Sequence, residues 1–310
     1  SQAADMKLGV ERWRARVRYL RSHVLGRSDA PPGRNLADSL STVLFPSDCR
    51  VCREPLLRAS RVPVCDACRG LLVPQTISMC ALCGEALGFE SIRLEDAPLC
   101  RICRFSPPPF AQAVAFGEYT GALREMVGLF KFERVAVLSR LLGEKLAEEV
   151  RQMPGLSRNA IVVPVPLFRN RLTERGFNQS LLLAEQVVRV LNGRYNFRLR
   201  IADALHRVKS TENQYLLTPR QRRQNLRGAF AVRDKAAIAE KDILLIDDIY
   251  TTGATARECA RILLREGAAS VRIATLARTQ RDVAVAWTGL TTSQQSIAGT
   301  GSLQQNQGLI

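Results

Sequence analysis

Eight of the nine cysteines form four Cys-x-x-Cys pairs between Cys49 and Cys103, and this spacing constrains the fold more than any other feature. Two such pairs supply four thiolates, the usual ligand set of a structural zinc ion, and both sulfurs of a pair can reach one ion at about 2.3 Å. Clustered pairs of this kind favour metal binding over disulfides. The sequence predicts two zinc ribbons in tandem, with the ligands Cys49, Cys52, Cys65, Cys68, Cys80, Cys83, Cys100 and Cys103.

The spacing leaves the order of pairing open. Sequential pairing is the simpler arrangement, and a cross-braced arrangement that shares pairs between the two sites is the alternative. Because cysteine fills every position of each site, no position is left for water, and the predicted zinc is structural rather than catalytic. Redox-active dithiols and an iron–sulfur cluster are the competing interpretations. The ninth cysteine, Cys259, lies in a helical pattern and is predicted to be a core residue.

After three prolines at 107–109, apolar strands alternate with amphipathic helices. The predicted strands at 161–163 and 242–246 are apolar apart from the initial Asp242, as strands buried on both faces are. Helical spacing covers 121–130, 178–191 and 255–266. This alternation predicts an α/β domain in which helices flank a parallel sheet.

Outside these two regions the composition changes. Trp13, Val17, Leu20 and Val24 lie at helical spacing among arginines, which fits a basic helix on a membrane or nucleic acid, or a helix docked on its own domain. The end of the chain is polar and uncharged, which predicts disorder. The expected parts are an Arg-rich extension at 1–46, a double zinc ribbon at 47–106, the α/β domain at 110–281 and a disordered polar tail at 282–310.

The charge indicates an anionic partner. The formal net charge is +16 and the isoelectric point is about 10.1, so the chain favours nucleic acid, phosphorylated metabolites or an anionic membrane surface. No run approaches the roughly 18 apolar residues of a membrane span. The first residues lack the apolar core of a secretory signal, so we expect a cytoplasmic location.

The strand at 242–246 leads into two carboxylates, a hydroxyl-rich loop and a helix. The segment reads Asp247-Asp248-Ile249-Tyr250-Thr251-Thr252-Gly253-Ala254-Thr255. Strand ends at the carboxyl edge of a parallel sheet open into a crevice, and a helix N-terminus attracts anions. A lone Thr-Gly-x-Thr after a strand is an ordinary cap, but two acids, three hydroxyls and a glycine within this short run predict a sugar-phosphate site.

This segment resembles the phosphoribosyl diphosphate (PRPP) signature of type I phosphoribosyltransferases. Over about 45–278 the chain is similar to the ComF family of bacterial competence-related proteins, including GntX-like members. In that family a cysteine-rich ribbon precedes a phosphoribosyltransferase domain. Besides the loop, the resemblance is carried by Leu129-Phe130-Lys131-Phe132, Val163-Pro164-Val165-Pro166-Leu167, Arg175-Gly176-Phe177-Asn178-Gln179 and Gln224-Asn225-Leu226-Arg227-Gly228-Ala229-Phe230.

The resemblance implies a type I phosphoribosyltransferase fold and a role for each site residue. Asp247 and Asp248 would hold the ribose 2′ and 3′ hydroxyls, and Mg²⁺ would accompany PRPP. The 5′-phosphate would lie against the loop formed by Thr251, Thr252, Gly253, Ala254 and Thr255. The diphosphate would meet basic residues, for which the candidates are Arg171, Arg175, Arg207 and Lys209.

Three functions fit these observations. The first is an enzyme that transfers phosphoribosyl from PRPP to an unidentified acceptor. The second is a non-catalytic module that senses PRPP or a nucleotide. The third, which the charge and the family's link to DNA uptake favour, is a protein that handles single-stranded DNA with other competence proteins. The second and third can hold together.

Overall fold

A computed structural model describes residues 47–56, 62–75, 78–87, 98–209, 221 and 225–280. The predicted Arg-rich helix, the predicted polar tail and position 281, the last of the predicted α/β domain, lie outside these residues. Within the described residues, no helix combines the length and apolar character needed to cross a bilayer.

The cysteine-rich segment is built from two similar turns, each followed by a short helix. In each turn the backbone N–H of the first cysteine donates to the carbonyl five residues later, at 2.8 Å from Cys49 to Glu54 and from Cys80 to Glu85. The residue after each second cysteine, Arg53 or Gly84, has a positive φ. The helices are α1 (Asp66–Gly70) and α2 (Arg101–Phe105).

A parallel sheet forms the centre of the α/β segment. Its five strands lie in the spatial order β1-β7-β6-β2-β3, and every pairing is parallel. A separate antiparallel pair, β4 and β5, lies outside it. The strands are β1 (Gln112–Glu118), β2 (Ile161–Pro164), β3 (Arg200–Ile201), β4 (Leu205–Arg207), β5 (Phe230–Val232), β6 (Asp242–Tyr250) and β7 (Ser270–Arg278).

Helices cover both faces of this sheet, as the alternation of the sequence predicts. They are α3 (Gly121–Phe132), α4 (Leu138–Arg151), α5 (Arg169–Arg175), α6 (Gln179–Arg194) and α7 (Ala254–Arg265). On one face Leu244 and Ile246 of β6 pack with α3, α4 and α6. On the other face Ile243 and Leu245 pack with α7, where Cys259 is fully buried as predicted. Alternate residues of one strand thus build two apolar cores.

The cysteine-rich segment forms backbone hydrogen bonds with the outer edge of strand β1. The N–H of Gln75 donates to the carbonyl of Phe116 at 3.0 Å, and the N–H of Ala113 donates to the carbonyl of Leu82 at 2.8 Å. The first cysteine group joins the core on the α4 side, and the second joins the core on the α7 side. These contacts bring the second group close to the end of β7.

Strand β6 is longer than its apolar run indicates. The run at 242–246 predicts a strand that stops before the acids, but β6 continues to Tyr250 because β7 pairs with it as far as Arg278. Asp247 and Asp248 are therefore strand residues. Their side chains point to opposite faces of the sheet.

Candidate functional site

The eight paired cysteines form two groups of four, combined sequentially. The sulfur atoms of Cys49, Cys52, Cys65 and Cys68 lie within 4.8 Å of one another, as do those of the second group, Cys80, Cys83, Cys100 and Cys103. Three of the sulfur pairs, Cys49–Cys68, Cys52–Cys65 and Cys83–Cys100, are separated by 3.7–3.9 Å. A tetrahedron with metal–sulfur bonds of about 2.3 Å has an edge of about 3.8 Å, so each group has the geometry of a tetrahedral metal site compatible with zinc.

The thiols of each group are too close to ionise together without a cation. Hydrogen bonds from Cys65 and Cys68 lower the pKa of Cys49. Hydrogen bonds with Cys49 and Cys65 raise the pKa of Cys68. The second group repeats the pattern, with the pKa of Cys80 lowered and that of Cys103 raised. A divalent cation removes this conflict because it binds every sulfur as a thiolate.

The loop after β6 enters helix α7 through a glycine in the left-handed conformation. Gly253 has φ 73° and is the N-cap of α7. A Cβ there would lie 2.9 Å from Cε1 of Tyr250 and closer still to its hydroxyl oxygen, so only glycine fits. The loop borders a small cavity that opens in part to solvent. The lining includes Asp247, Thr251, Thr252, Gly253, Ala254 and Thr255.

Asp247 faces this cavity and is surrounded by donors. Its Oδ1 accepts from the hydroxyl of Ser180 at 3.1 Å and from the N–H of Asp248 at 2.9 Å. Burial, reinforced by the negative charge of Asp248, raises the pKa of Asp247 to about 7. The carboxyl therefore changes its charge near neutral pH.

Asp248 points away from the cavity and lies in a buried ion pair. Its carboxylate is 2.8 Å from the ammonium group of Lys131 in α3, and both side chains are about nine-tenths buried. Lys131 belongs to the Leu-Phe-Lys-Phe stretch, for which the sequence indicated no role. A lysine inside an apolar helix face is the one signal that could have predicted a buried acidic partner.

The Arg-Gly-Phe-Asn-Gln stretch forms the end of α5 and the start of α6. Asn178 caps α6 by accepting from the N–H groups of Ser180 and Leu181, and its amide donates to the carbonyl of Val165 at 3.1 Å. Arg175, a predicted ligand contact, donates to Gln179 at 3.1 Å and lies over the ring of Phe132. This stretch thus connects the segment after β2 to the Ser180–Asp247 contact.

Of the other predicted cations, Arg207 lies within electrostatic reach of Asp247, and Arg171 lies near Arg207. Burial and the neighbouring charge of Arg171 lower the pKa of Arg207, and the charge of Asp247 opposes that shift. Arg207 thus contributes positive charge close to Asp247. Lys209 is exposed, and its ammonium group lies near Gly228.

A buried cation at the end of β7 was missed by the sequence analysis. Arg278 is 1% exposed and pairs with Glu85, and its Nη1 donates to the carbonyl of Cys83 at 2.6 Å. Its guanidinium carbon lies 4.2 Å from the ring centroid of Tyr250. No local pattern reveals this contact, because Glu85 and Arg278 are far apart in the sequence.

The sheet order, the loop after β6 and the capped helix place the chain in the class of phosphoribosyltransferase-type α/β proteins, and the phosphoribosyl transferase domain model matches residues 178–302. Within that class the chain belongs to the ComF family. It is 34% identical to DNA utilization protein YhgH of Salmonella typhi over 237 residues, which are 76% of this chain and 98% of YhgH. It is 28% identical to competence protein F of Haemophilus influenzae over 234 residues, 74% of this chain and 96% of that protein.

Solved structures with similarity to this chain include a purine phosphoribosyltransferase from Pyrococcus horikoshii. It has a TM-score of 0.27 and 13% identity, and the match covers 47% of this chain and 85% of that chain. Family membership rests on the relatives, which this chain matches over nearly their whole length. The resemblance and the fold class predicted from the sequence are thereby confirmed.

Proposed function

We propose that the protein binds PRPP with Mg²⁺ at the carboxyl edge of the sheet and acts in the use of imported DNA. The observation that carries the proposal is the position of Asp247, which faces the same cavity as the Thr251–Thr255 loop. An acid that accepts from sugar hydroxyls and a loop that receives the phosphate are thus on one side of β6. The link to DNA comes from the names of the relatives, DNA utilization protein YhgH and competence protein F.

In this proposal the loop holds the 5′-phosphate. The backbone N–H groups at the start of α7 are unpaired within the helix and carry its positive dipole end, which favours an anion. The hydroxyls of Thr251, Thr252 and Thr255 add donors. Thr251 is exposed and Thr252 and Thr255 are half-buried, so the loop is accessible.

Asp247 accepts from the ribose hydroxyls in its ionised form. Asp248 can join it only if Lys131 releases the carboxylate, because the two side chains leave opposite faces of β6. When bound, Mg²⁺ would supply positive charge to the diphosphate and the ribose oxygens. Arg207 is the best placed of the predicted cations for the diphosphate because it lies near Asp247, and Arg171, Arg175 and Lys209 stay candidates.

Transfer of phosphoribosyl would break the bond from ribose C1 to diphosphate and form one to an acceptor. The charge that develops on the diphosphate is what the arginines would stabilise, so the protein would act chiefly by positioning and electrostatics. Binding without transfer would use the same groups. Incubation with PRPP, Mg²⁺ and candidate bases or amines, assayed for diphosphate release, separates the two.

Calorimetry with PRPP and Mg²⁺ tests the proposal. We expect saturable heat from the zinc-loaded protein and none from Asp247→Ala. Asp242→Ala serves as the matched control, because it removes a carboxylate at the other end of β6, away from the cavity. A wild-type protein that gives no heat, or an Asp247→Ala variant that binds as wild type does, contradicts the proposal.

We further propose that both cysteine groups hold structural zinc. The support is the tetrahedral spacing of the sulfurs and the use of cysteine at all four positions. Metal-replete protein should contain two zinc ions per chain, and less than one would exclude zinc. The described cysteines form no disulfides, which fits a reducing compartment such as the cytoplasm.

A second proposed activity is binding of single-stranded DNA through the basic surface. The support is the net charge of +16 and the relatives' names. Binding to a phosphate backbone should weaken steeply as salt rises, because cations are released from the DNA. An affinity that does not change with salt would exclude this mode.

A further inference from the structure

Arg278 lies between the second cysteine group and the phosphate loop. Its Nη1 donates to the carbonyl of Cys83, and its Nη2 lies 3.6 Å from the sulfur of the same residue. The same Nη2 pairs with Glu85, two residues further along the turn. The guanidinium group thus contacts a predicted metal ligand and the turn that carries it.

The other side of Arg278 faces Tyr250. The guanidinium carbon is 4.2 Å from the ring centroid, a stacking distance for a cation over an aromatic face. Tyr250 is 5% exposed, and burial raises its pKa to about 12. Its hydroxyl end occupies the space where a Cβ of Gly253 would lie. A continuous series of contacts therefore runs from Cys83 through Arg278 and Tyr250 to the loop glycine.

A metal ion at the second cysteine group would act on this series of contacts through the charge of the site and the shape of the turn. Four thiolates around a divalent cation carry a net charge of about −2, which a buried guanidinium partly neutralises. Metal binding also fixes the turn from Cys80 to Glu85, and with it the carbonyl of Cys83. Because Arg278 is held by two atoms of Cys83, its position over Tyr250 depends on that turn.

We propose that Arg278 is a positioning residue that couples the second cysteine group to the phosphate loop. Zinc at that group and a ribose phosphate on the loop each raise the affinity for the other. The inference rests on the proposed role of the loop. The first cysteine group is an internal control, because it packs in the core on the other face of the sheet, away from α7.

The first experiment uses unmodified, zinc-loaded protein and ribose 5-phosphate as the probe. Zinc release to a chromogenic chelator is followed with and without saturating ribose 5-phosphate, with ribose as the control. Coupling between sites is reciprocal, so the ligand should raise the zinc affinity of one site by about 5-fold or more and leave the other unchanged. Equal release of both ions with and without bound ligand would overturn the proposal.

The second experiment uses variants at the two ends of β7. Arg278→Met removes the cation, Arg278→Lys keeps a charge without the planar stack, and Arg272→Met is the matched control at the other end of the strand. In excess zinc, Arg278→Met should weaken ribose 5-phosphate binding by roughly 10-fold and zinc binding at one site by roughly 10–100-fold. Arg278→Lys should recover part of both, and Arg272→Met should behave as wild type.

The outcomes separate this inference from the proposed function. If zinc-loaded wild-type protein binds neither ribose 5-phosphate nor PRPP, the proposed function fails and the coupling fails with it. If it binds them, and removal of zinc leaves that affinity unchanged in protein that circular dichroism shows to be folded, only the coupling fails. Because the wild-type measurements need no substitution at a buried position, a variant that does not fold leaves the test intact.

Discussion

Replacement of Asp247 by Asn should stabilise the protein increasingly as the pH rises. In the folded protein the pKa of Asp247 is raised to about 7, chiefly by burial, from an ordinary value of 3.8. Between these values the folded state binds more protons than the unfolded chain, so this group lowers the free energy of unfolding as the pH rises. The loss is complete above about pH 7, where both states are ionised.

The magnitude follows from the size of the shift. The full shift of about three pK units corresponds to roughly 4 kcal/mol, and the part that falls between pH 6 and pH 8 is about one unit, which is on the order of 1 kcal/mol. Asn keeps an oxygen for the two donors, Ser180 and the N–H of Asp248, and cannot ionise. The free energy of unfolding of the variant should therefore rise by about 1 kcal/mol relative to that of wild type from pH 6 to pH 8.

Urea unfolding of zinc-loaded protein at pH 6, 7 and 8 measures this difference. Asp242→Asn, at the other end of β6, corrects for the general loss of a negative charge. The same Asp247→Asn variant should lose PRPP binding, since the ionised carboxylate is the proposed acceptor for ribose. A difference from wild type that stays constant across this range, or that falls as the pH rises, would refute the reasoning.

Other perturbations have equally direct outcomes. Gly253→Ala places a side chain at φ 73° against Tyr250. It should lower the free energy of unfolding in urea by about 1–3 kcal/mol and abolish PRPP binding in calorimetry. Unchanged binding would contradict the assignment of the loop. Lys131→Met leaves Asp248 buried without its partner and should lower the free energy of unfolding by about 3–5 kcal/mol. Adding Asp248→Asn should recover much of that loss. Purely additive effects in this double-mutant cycle would contradict the ion pair. Cys68→Ser should lose one of two zinc ions by elemental analysis, and loss of both would argue for shared ligands. PRPP affinity should fall as the pH drops through about 7, because Asp247 becomes protonated, and a pH-independent affinity would exclude that carboxylate.

Much of the fold could be predicted because its signals are local. The apolar run at 243–246, the amphipathic spacing of α6 and the paired cysteines each lie within a few residues, and each forms the element or group that its spacing indicates. Asn178 before a helical pattern is an N-cap signal of the same kind. Secondary structure and metal geometry therefore follow from short-range periodicity.

The remaining contacts of the site depend on the order of strands. Ser180 meets Asp247 only because β6 lies beside β2, and Lys131 meets Asp248 only because α3 packs on that face. The extension of β6 past its apolar run depends on pairing with β7, which overrides the low strand propensity of aspartate. Such contacts are set by tertiary packing, and a single sequence carries no local trace of them.

Strand β1 is the outer strand of the sheet on its side, and the ribbon backbone lies along its open side. An uncovered strand edge is a template for pairing with other chains. The turns that cover it are held together by the cysteine groups. If these groups hold the proposed zinc, loss of the metal would loosen the turns and expose the unpaired edge of β1. Chelated protein should consequently fail by self-association, and the zinc content of a preparation should set how long it stays monodisperse.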